Sequence, residues 1–460
     1  MKRIAIIGGG ISGLAAAHRL IERSKTPVSI TLFESSSRLG GTIQTDHHNG
    51  FLLERGPDSF ISEKPEALQL AKRLGIENQL IQTNHEYRRS FVVRNGRLRP
   101  VPEGFQLLAP TRFWPFVTTD IFSLTGKLRM SADLFLPRKE LNGSNDETLA
   151  SFVRRRLGQE ALERMAQPMV GGIYTADPEL LSLRATLPRF LDMEREHRSL
   201  ILGMWRKGRT VRKQKGVSGA RYSLFLSFAN GMETLVQTLE KKIAPHVDLR
   251  INTPVKNIRR SEEVWLIDDV LEVDAVCLAV PSYVAARLIS SEKLASKLDQ
   301  IKFASTATVN LAYHRDQIKH ALDGFGFVVP AIEKRAVIAC TFANVKFSGR
   351  APAEQVLLRA FVGGALQPEM LQLDDAEIGR RVQMDLAALL GITGAPLFVE
   401  VSRWTNAMPQ YQLGHLDLVE SIDTEVTAIP GLALAGNAYR GAGIPDCIRS
   451  GELAAASLLS

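Results

Sequence analysis

The sequence predicts an α/β fold: a discontinuous parallel-sheet domain that carries an antiparallel sheet and a helical insertion. Three patterns predict it. An apolar strand, a glycine turn and a helix follow one another over residues 3–20, and a second strand, turn and helix occupy 432–459. Between them, several β-branched segments alternate or run apolar. At 460 residues the chain is long enough for two or three domains. With 45% hydrophobic and 23% charged residues it is neither disordered, nor collagen-like, nor a polytopic membrane protein. Cys277, Cys340 and Cys447 stand far apart, which excludes a disulfide scaffold or zinc cluster and fits a reducing compartment. The 57 Lys+Arg against 49 Asp+Glu leave a charge of +8. Such a surplus attracts nucleic acid, an anionic membrane surface or an anionic substrate, and does not choose among them.

The first element, Arg3-Ile4-Ala5-Ile6-Ile7, reads as a buried parallel strand. Lys2-Arg3 before an apolar stretch imitates a signal peptide, but glycines at 8, 9, 10 and 13 would break a targeting helix. Elsewhere, the uncharged run Leu386–Val399 is broken by glycine and proline and falls short of the ~20 apolar residues a bilayer needs. The strand runs into Gly8-Gly9-Gly10-Ile11-Ser12-Gly13, a G-x-G-x-x-G, and then into strong helix formers, Leu14 to Leu20. In a Rossmann-like turn Gly8 allows the tight bend, Gly10 lets backbone approach a pyrophosphate, and Gly13 lets helix and strand pack closely. The helix start offers N–H groups and a partial positive charge. A second strand, Val28–Phe33, ends on Glu34, placed to accept ribose hydroxyls and to disfavour a 2′-phosphate. The motif alone is weak; strand, glycines, helix, strand and acid in this order make it specific.

Glu34 is followed by Ser35, Arg38, Gly40-Gly41 and Thr42, then by Gly56-Pro57-Asp58-Ser59-Phe60. Arg38 is placed to neutralise a phosphate. At the far end, Leu432–Ala435 reads as a strand ending in a turn at Gly436, with Gly443-Ile444-Pro445-Asp446-Cys447 leading into a helix over Glu452–Leu459. Cys447 reads as a small core residue.

The E-x-x-x-R-x-G-G arrangement resembles the FAD-dependent amine oxidase superfamily. Gly56–Phe60, Met408-Pro409-Gln410-Tyr411 with Gly414-His415, and Gly443–Cys447 resemble its oxygen-dependent protoporphyrinogen oxidase branch, which includes bacterial coproporphyrinogen III oxidases. The resemblance runs end to end. It implies FAD contacts at Gly8, Gly9, Gly10, Ile11, Ser12, Gly13, Glu34, Ser35, Arg38, Gly41, Thr42, Gly56, Pro57, Asp58, Ser59, Val255, Trp404, Gly436, Gly443, Ile444 and Pro445. It also implies an FAD-binding domain of 1–85, 220–295 and 400–460, a substrate-binding domain of 86–104 and 296–399, and a helical, membrane-associating insertion of 105–219.

The insertion carries helical apolar spacing over Thr148–Leu162 and Leu187–Met204; Thr306–Tyr313, Phe325–Pro330, Val337–Ala343 and Val356–Gly363 read as antiparallel strands. The substrate implied is a porphyrinogen bearing propionates, so a cation should hold a carboxylate. Arg89, just before Phe91-Val92-Val93, lies where the family places that arginine; Gly172 and Phe342 are the other implied substrate contacts. Arginine grips a carboxylate in a bidentate way that lysine cannot. The implied reaction is aromatisation by FAD with O2 as acceptor: protoporphyrinogen IX to protoporphyrin IX, or coproporphyrinogen III to coproporphyrin III. No catalytic base and no metal site stands out. The rival amine oxidation would want a lysine near the flavin, and Phe303–Val309 has none.

A basic run from Arg206 to Lys215, with Arg221 beyond, and a companion patch of Leu107, Leu108, Phe113, Trp114 and Phe116 suit an anionic bilayer. No nucleic-acid motif accompanies the run, so nucleic acid is excluded. The expected location is cytoplasmic, peripheral on the inner face of the cell membrane. The remaining expected partners are a neighbouring haem-pathway enzyme that takes the product and a second copy of the chain.

Overall fold

The computed structural model of the chain describes residues 1–106, 109–110, 112–139, 146–206 and 224–459. Its centre is a five-stranded parallel sheet in the order Val247–Arg250, Val28–Phe33, Lys2–Ile7, Ala275–Leu278, Leu432–Leu434. Ile4, Ile6, Leu32, Ala275 and Leu278 have no or almost no exposure, as expected of strands covered on both faces. Each such side chain contributes roughly 1.5–3 kcal/mol on burial, so the sheet's position is fixed by its core.

The helix Ile11–Arg23 packs on this sheet beside the helix Ile444–Leu459. The second helix begins eight residues before the Glu452 expected from sequence. Gly451 is the reason for the misreading: it does not punctuate the helix but lies inside it. A Cβ there would collide with the Ser12 carbonyl oxygen, so glycine is what lets the two helices cross backbone to backbone.

A seven-stranded sheet forms the second layer, in the order Phe398–Gln410, Lys302–His314, Gln355–Gly363, Val337–Phe342, Gly326–Val328, Phe91–Arg94, Arg97–Pro100. Its pairings are antiparallel except that Gly326–Val328 runs parallel to Phe91–Arg94. The strand Phe398–Gln410 pairs along Lys302–Ala312; the sequence boundary between 399 and 400 therefore cuts through one strand. Met408-Pro409-Gln410 is the end of that strand, and Trp404 lies in its middle.

The insertion is helical but more broken than its periodicity suggests. Leu149–Arg156 stops at Gly158 (φ +95°). Residues 159–174 then continue through a π turn at Leu162–Ala166, and Pro188–His197 ends on a left-handed Arg198 (φ +65°). Arg156, fully buried, holds these pieces together by pairing with Asp133 and donating to the carbonyls of Pro137 and Arg198.

Candidate functional site

The glycine turn separates into packing glycines and an open one. Gly8 sits at φ +108°, where a Cβ would lie 2.5 Å from the Ala279 carbonyl oxygen; a Cβ on Gly13 would collide with the Gly8 carbonyl oxygen. At Gly10 a Cβ would meet nothing within 4 Å. Gly10 precedes the helix Ile11–Arg23, whose start carries no side-chain cap and no acid in its first turn. That is the arrangement in which free N–H groups meet an anion. Glu34 is oriented by the same turn: its Oε2 accepts from Gly9 N (2.8 Å) and its Oε1 from Ser36 N (2.8 Å) and Ser35 Oγ (3.3 Å). Thr253 N donates to Glu34 O (2.8 Å), which brings Val255 near the same end.

The wall continues in direct succession. Gly40 N donates to Gly9 O (2.8 Å), and a Cβ on Gly41 (φ +59°) would lie 3.3 Å from Gly10 Cα. A Cβ on Gly56 would collide with Thr42 O and lie 3.6 Å from the Trp404 ring. Trp404 Nε1 donates to Arg55 O (2.9 Å), and Thr308 Oγ1 donates to the same carbonyl (2.6 Å). Arg38 stands beside the Gly40–Ile43 loop. It donates to Gly41 O (2.8 Å) and Ile43 O and pairs with Glu233 (3.3 Å), which the helix Glu233–Ile243 brings in. Its charge is thus already met, and it shapes the Gly40–Ile43 loop.

The loop Gly56–Ser59 rests on charged side chains that sequence reasoning missed. Lys346 Nζ stands 2.8 and 3.1 Å from the Asp58 carboxylate oxygens, Arg359 donates to Gly56 O, and Ser227 Oγ donates to Asp58 O (2.8 Å). Burial opposes ionisation of Asp58, but Lys346 and Arg359 outweigh it and hold the carboxyl well below the usual range. Glu54, 4% exposed, is the opposite case: burial pushes it up to about 7. One signal could have found Arg359: it interrupts Val356-Leu357-Leu358-Arg359-Ala360-Phe361-Val362, and a charge inside an apolar strand needs a partner.

At the other side, Gly436 (φ +137°) receives Ser450 Oγ on its N–H (3.1 Å), and Gly443, Ile444 and Pro445 begin the helix Ile444–Leu459. Tyr411 OH donates to Asn437 O (2.5 Å) and accepts from Gly441 N (2.9 Å). Its ring stacks on His415 (4.1 Å), whose Nε2 lies 2.8 Å from Tyr439 O. The Met408–Tyr411 and Gly414-His415 motifs therefore clamp the 437–441 turn. Tyr411 also borders a cavity of about 350 Å³ lined by Asp177, Lys302, Asn406 and Gln410 among others, with no lining residue from the Gly8–Gly13 turn.

The three expected substrate contacts are not brought together as one surface. Phe342 is a correction: it is fully buried, its ring 6.1 Å from Phe327 and 5.9 Å from His320 inside the sheet's core. Gly172 is exposed on the helix Gln167–Tyr174, where a Cβ would lie 3.6 Å from Val328. Arg89 is half exposed and not a free cation: it pairs with Asp323 (2.7 Å) and donates from Nε to Asp323 O (2.7 Å). Phe116 is buried rather than part of a surface patch, whereas Trp114 is 73% exposed. Leu107, Leu108, the Phe113 side chain and the basic run beyond Arg206 lie outside the described residues. The three cysteines are buried and unpaired. Among the described residues no group of His, Cys, Asp and Glu could hold a metal, and no helix is long and apolar enough to cross a membrane.

The same architecture occurs in known proteins. The chain is 36% identical to a coproporphyrinogen III oxidase of Bacillus subtilis, over 100% of this chain and 98% of the relative. It is 32% identical to a human protoporphyrinogen oxidase at the same coverage. A crystal structure from Exiguobacterium sp. 255-15, assigned as a protoporphyrinogen oxidase, superimposes with a TM-score of 0.88 at 32% identity, covering 100% of this chain and 98% of that one. A reduced UDP-galactopyranose mutase shares the fold at 15% identity, with a TM-score of 0.73 and coverage of 100% and 96%. The pattern described as "Flavin containing amine oxidoreductase" matches residues 11–459, and the chain belongs to that family.

Proposed function

We propose that this chain is an FAD-dependent oxidase that aromatises a porphyrinogen to a porphyrin with O2 as electron acceptor, in haem biosynthesis. The observation that carries the reading is the unbroken wall from Glu34 through Gly10, Gly41 and Gly56 to Trp404, in a chain matched end to end by porphyrinogen oxidases. The residues fit FAD. Gly10 leaves open the space that phosphates need, Glu34 is held for the ribose, and the turn at Gly436–Pro445 closes the far end. Ile11, Ser12 and Gly13 present the helix start, and Ser35, Thr42, Pro57, Ser59 and Val255 complete the lining. Bound FAD would supply a two-electron acceptor: each round would take one hydride, which carries both electrons, and release one proton, so loss of six hydrogens takes three rounds with O2 receiving the electrons. The protein's share is orientation and exclusion of water, and the product's aromaticity supplies driving force. Anaerobic mixing of the purified yellow protein with a porphyrinogen should bleach the flavin; a flavin that stays oxidised would sink the reading.

Between the two porphyrinogens, the 36% identity to coproporphyrinogen III oxidases of Bacillus subtilis and Propionibacterium freudenreichii favours coproporphyrinogen III over protoporphyrinogen IX. Product fluorescence with each substrate compares them directly. Arg89 serves the substrate only by exchanging Asp323 for a propionate. Peripheral membrane contact is part of the proposal, and Trp114, Leu124, Leu128 and Phe135, each at least two-thirds exposed and from one stretch of the insertion, support it. Co-sedimentation with anionic vesicles tests it; no difference between wild type and Trp114→Ser/Phe135→Ser removes that surface. Handover to a neighbouring pathway enzyme and self-association complete the proposal, and cross-linking in cell extracts reads both.

A further inference from the structure

Beneath the Gly56–Ser59 loop lie five ionisable side chains from three stretches of chain: Glu54 and Asp58, Lys346 and Arg350, and Arg359. Lys346 Nζ holds Asp58 and stands 3.2 Å from Ser59 Oγ. Arg359, 4% exposed, is 4.0 Å from the same carboxylate, and its Nε is buried without a hydrogen-bond partner. Arg350, 2% exposed, donates to Ala229 O, Phe228 O and Ser227 Oγ, each at 2.9 Å. Glu54 accepts from Thr45 Oγ1 (2.7 Å) and Met232 N (2.8 Å). Three cations thus face two acids.

The order of contacts says which end of the cofactor this cluster faces. From Glu34 at the ribose, the wall passes Gly10 at the phosphates, then Gly41, Thr42, Gly56 and Trp404. The loop therefore lies beyond the phosphates, on the side away from Glu34. Lys64, just after it, reaches Asp446 (2.5 Å) in the first turn of the closing helix.

We propose that Lys346, Arg350 and Arg359, set over Asp58 and Glu54, form a buried cation surplus that makes the bound cofactor easier to reduce, with Lys346–Asp58 as the positioning pair and Glu54 as the member whose protonation resets the surplus. This rests on the FAD reading above. Reduction adds negative charge to the cofactor, and a fixed positive excess in a poorly solvated site stabilises that charge far more than it would in water. With both acids ionised the cluster is +1; with Glu54 protonated it is +2. The charged groups facing Glu54 are Arg350, Arg359, Asp58 and, through Thr45, Glu233. Burial places its titration at about 7, so both states are populated near neutrality.

The experiment is a reduction-potential titration of FAD-loaded protein against reference dyes, with oxidised-FAD affinity followed by flavin fluorescence. Lys346→Met should lower the ratio of reduced to oxidised cofactor affinity about tenfold, about 30 mV for a two-electron couple. Lys346→Arg should keep the wild-type value. Glu54→Gln should remove the extra pH dependence of the potential around neutrality. An FAD-loaded Lys346→Met with an unchanged potential overturns the proposal. Where that variant does not hold FAD, Glu54→Gln decides, and a wild-type potential–pH curve from it overturns the proposal equally. Wild-type protein that takes up no FAD would instead overturn the cofactor reading itself.

Discussion

The glycine turn at Gly8–Gly13 and the loop at Gly56–Ser59 are two halves of one wall, and they are built by opposite means. The first is backbone only: its shape follows from residues that lack a Cβ, and its anion-binding groups are amides that never titrate. The second is held from behind by long charged side chains from a distant helical turn and a distant strand, and its electrostatics depend on their protonation. Backbone recognition is insensitive to pH and intolerant of any added atom. Side-chain recognition accepts conservative change and can be tuned.

The largest effects that would break this contrast lie in the turn. Gly13→Ala forces an atom into the Gly8 carbonyl, and should cost roughly 3 kcal/mol or more in chemical denaturation. Gly10→Ala meets empty space, so stability should stay within about 0.5 kcal/mol. Its FAD affinity should nevertheless fall about 100-fold, a loss of about 3 kcal/mol in a flavin fluorescence titration. Equal behaviour of the two variants would show that the glycines do not divide the work.

In the loop, Asp58→Asn leaves the largely covered Lys346 opposite a neutral group and should destabilise by about 3 kcal/mol, with Asp58→Asn/Lys346→Met less harmful than the single change. Glu54 gives a smaller, pH-dependent effect. Its folded value is raised from 4.5 to about 7, so the folded state keeps a proton that the unfolded chain has lost. Wild-type stability should fall as pH rises from 4.5 to 7 and then level off, while Glu54→Gln is flat there and more stable above pH 7 by about 1–3 kcal/mol. Thermal melts across that range read the difference. The smallest effect is at Arg89: freeing it with Asp323→Asn should lower the porphyrinogen KM severalfold, and Arg89→Ala should raise it with FAD still bound. No change in either variant removes Arg89 from the substrate site.

The same contrast explains what the sequence disclosed. The turn, the strand before it and Glu34 are contiguous, and their chemistry is carried by residue type alone, so they could be read directly. Gly56–Ser59 and Gly443–Pro445 were legible through resemblance, but their supports were not. Lys346 and Arg350 look like surface charges until the fold brings them beside Arg359 and under the Gly56–Ser59 loop. The ion-pair partners of Arg38 and Arg89 were hidden likewise, because Glu233 and Asp323 lie about 200 residues away in sequence. The C-terminal helix was shortened because Gly451 serves a crossing that only the tertiary structure contains.

That crossing has a consequence for how the chain comes off the ribosome. The strand Lys2–Ile7 and the helix Ile11–Arg23 are made first of these elements, and their sheet neighbour Ala275–Leu278 and the helix against Ser12 arrive hundreds of residues later. The five-stranded parallel sheet and its helices therefore cannot close before residues 432–459 have been made. The apolar strands Lys2–Ile7 and Val28–Phe33 must wait, exposed or shielded by a chaperone, until those residues have emerged.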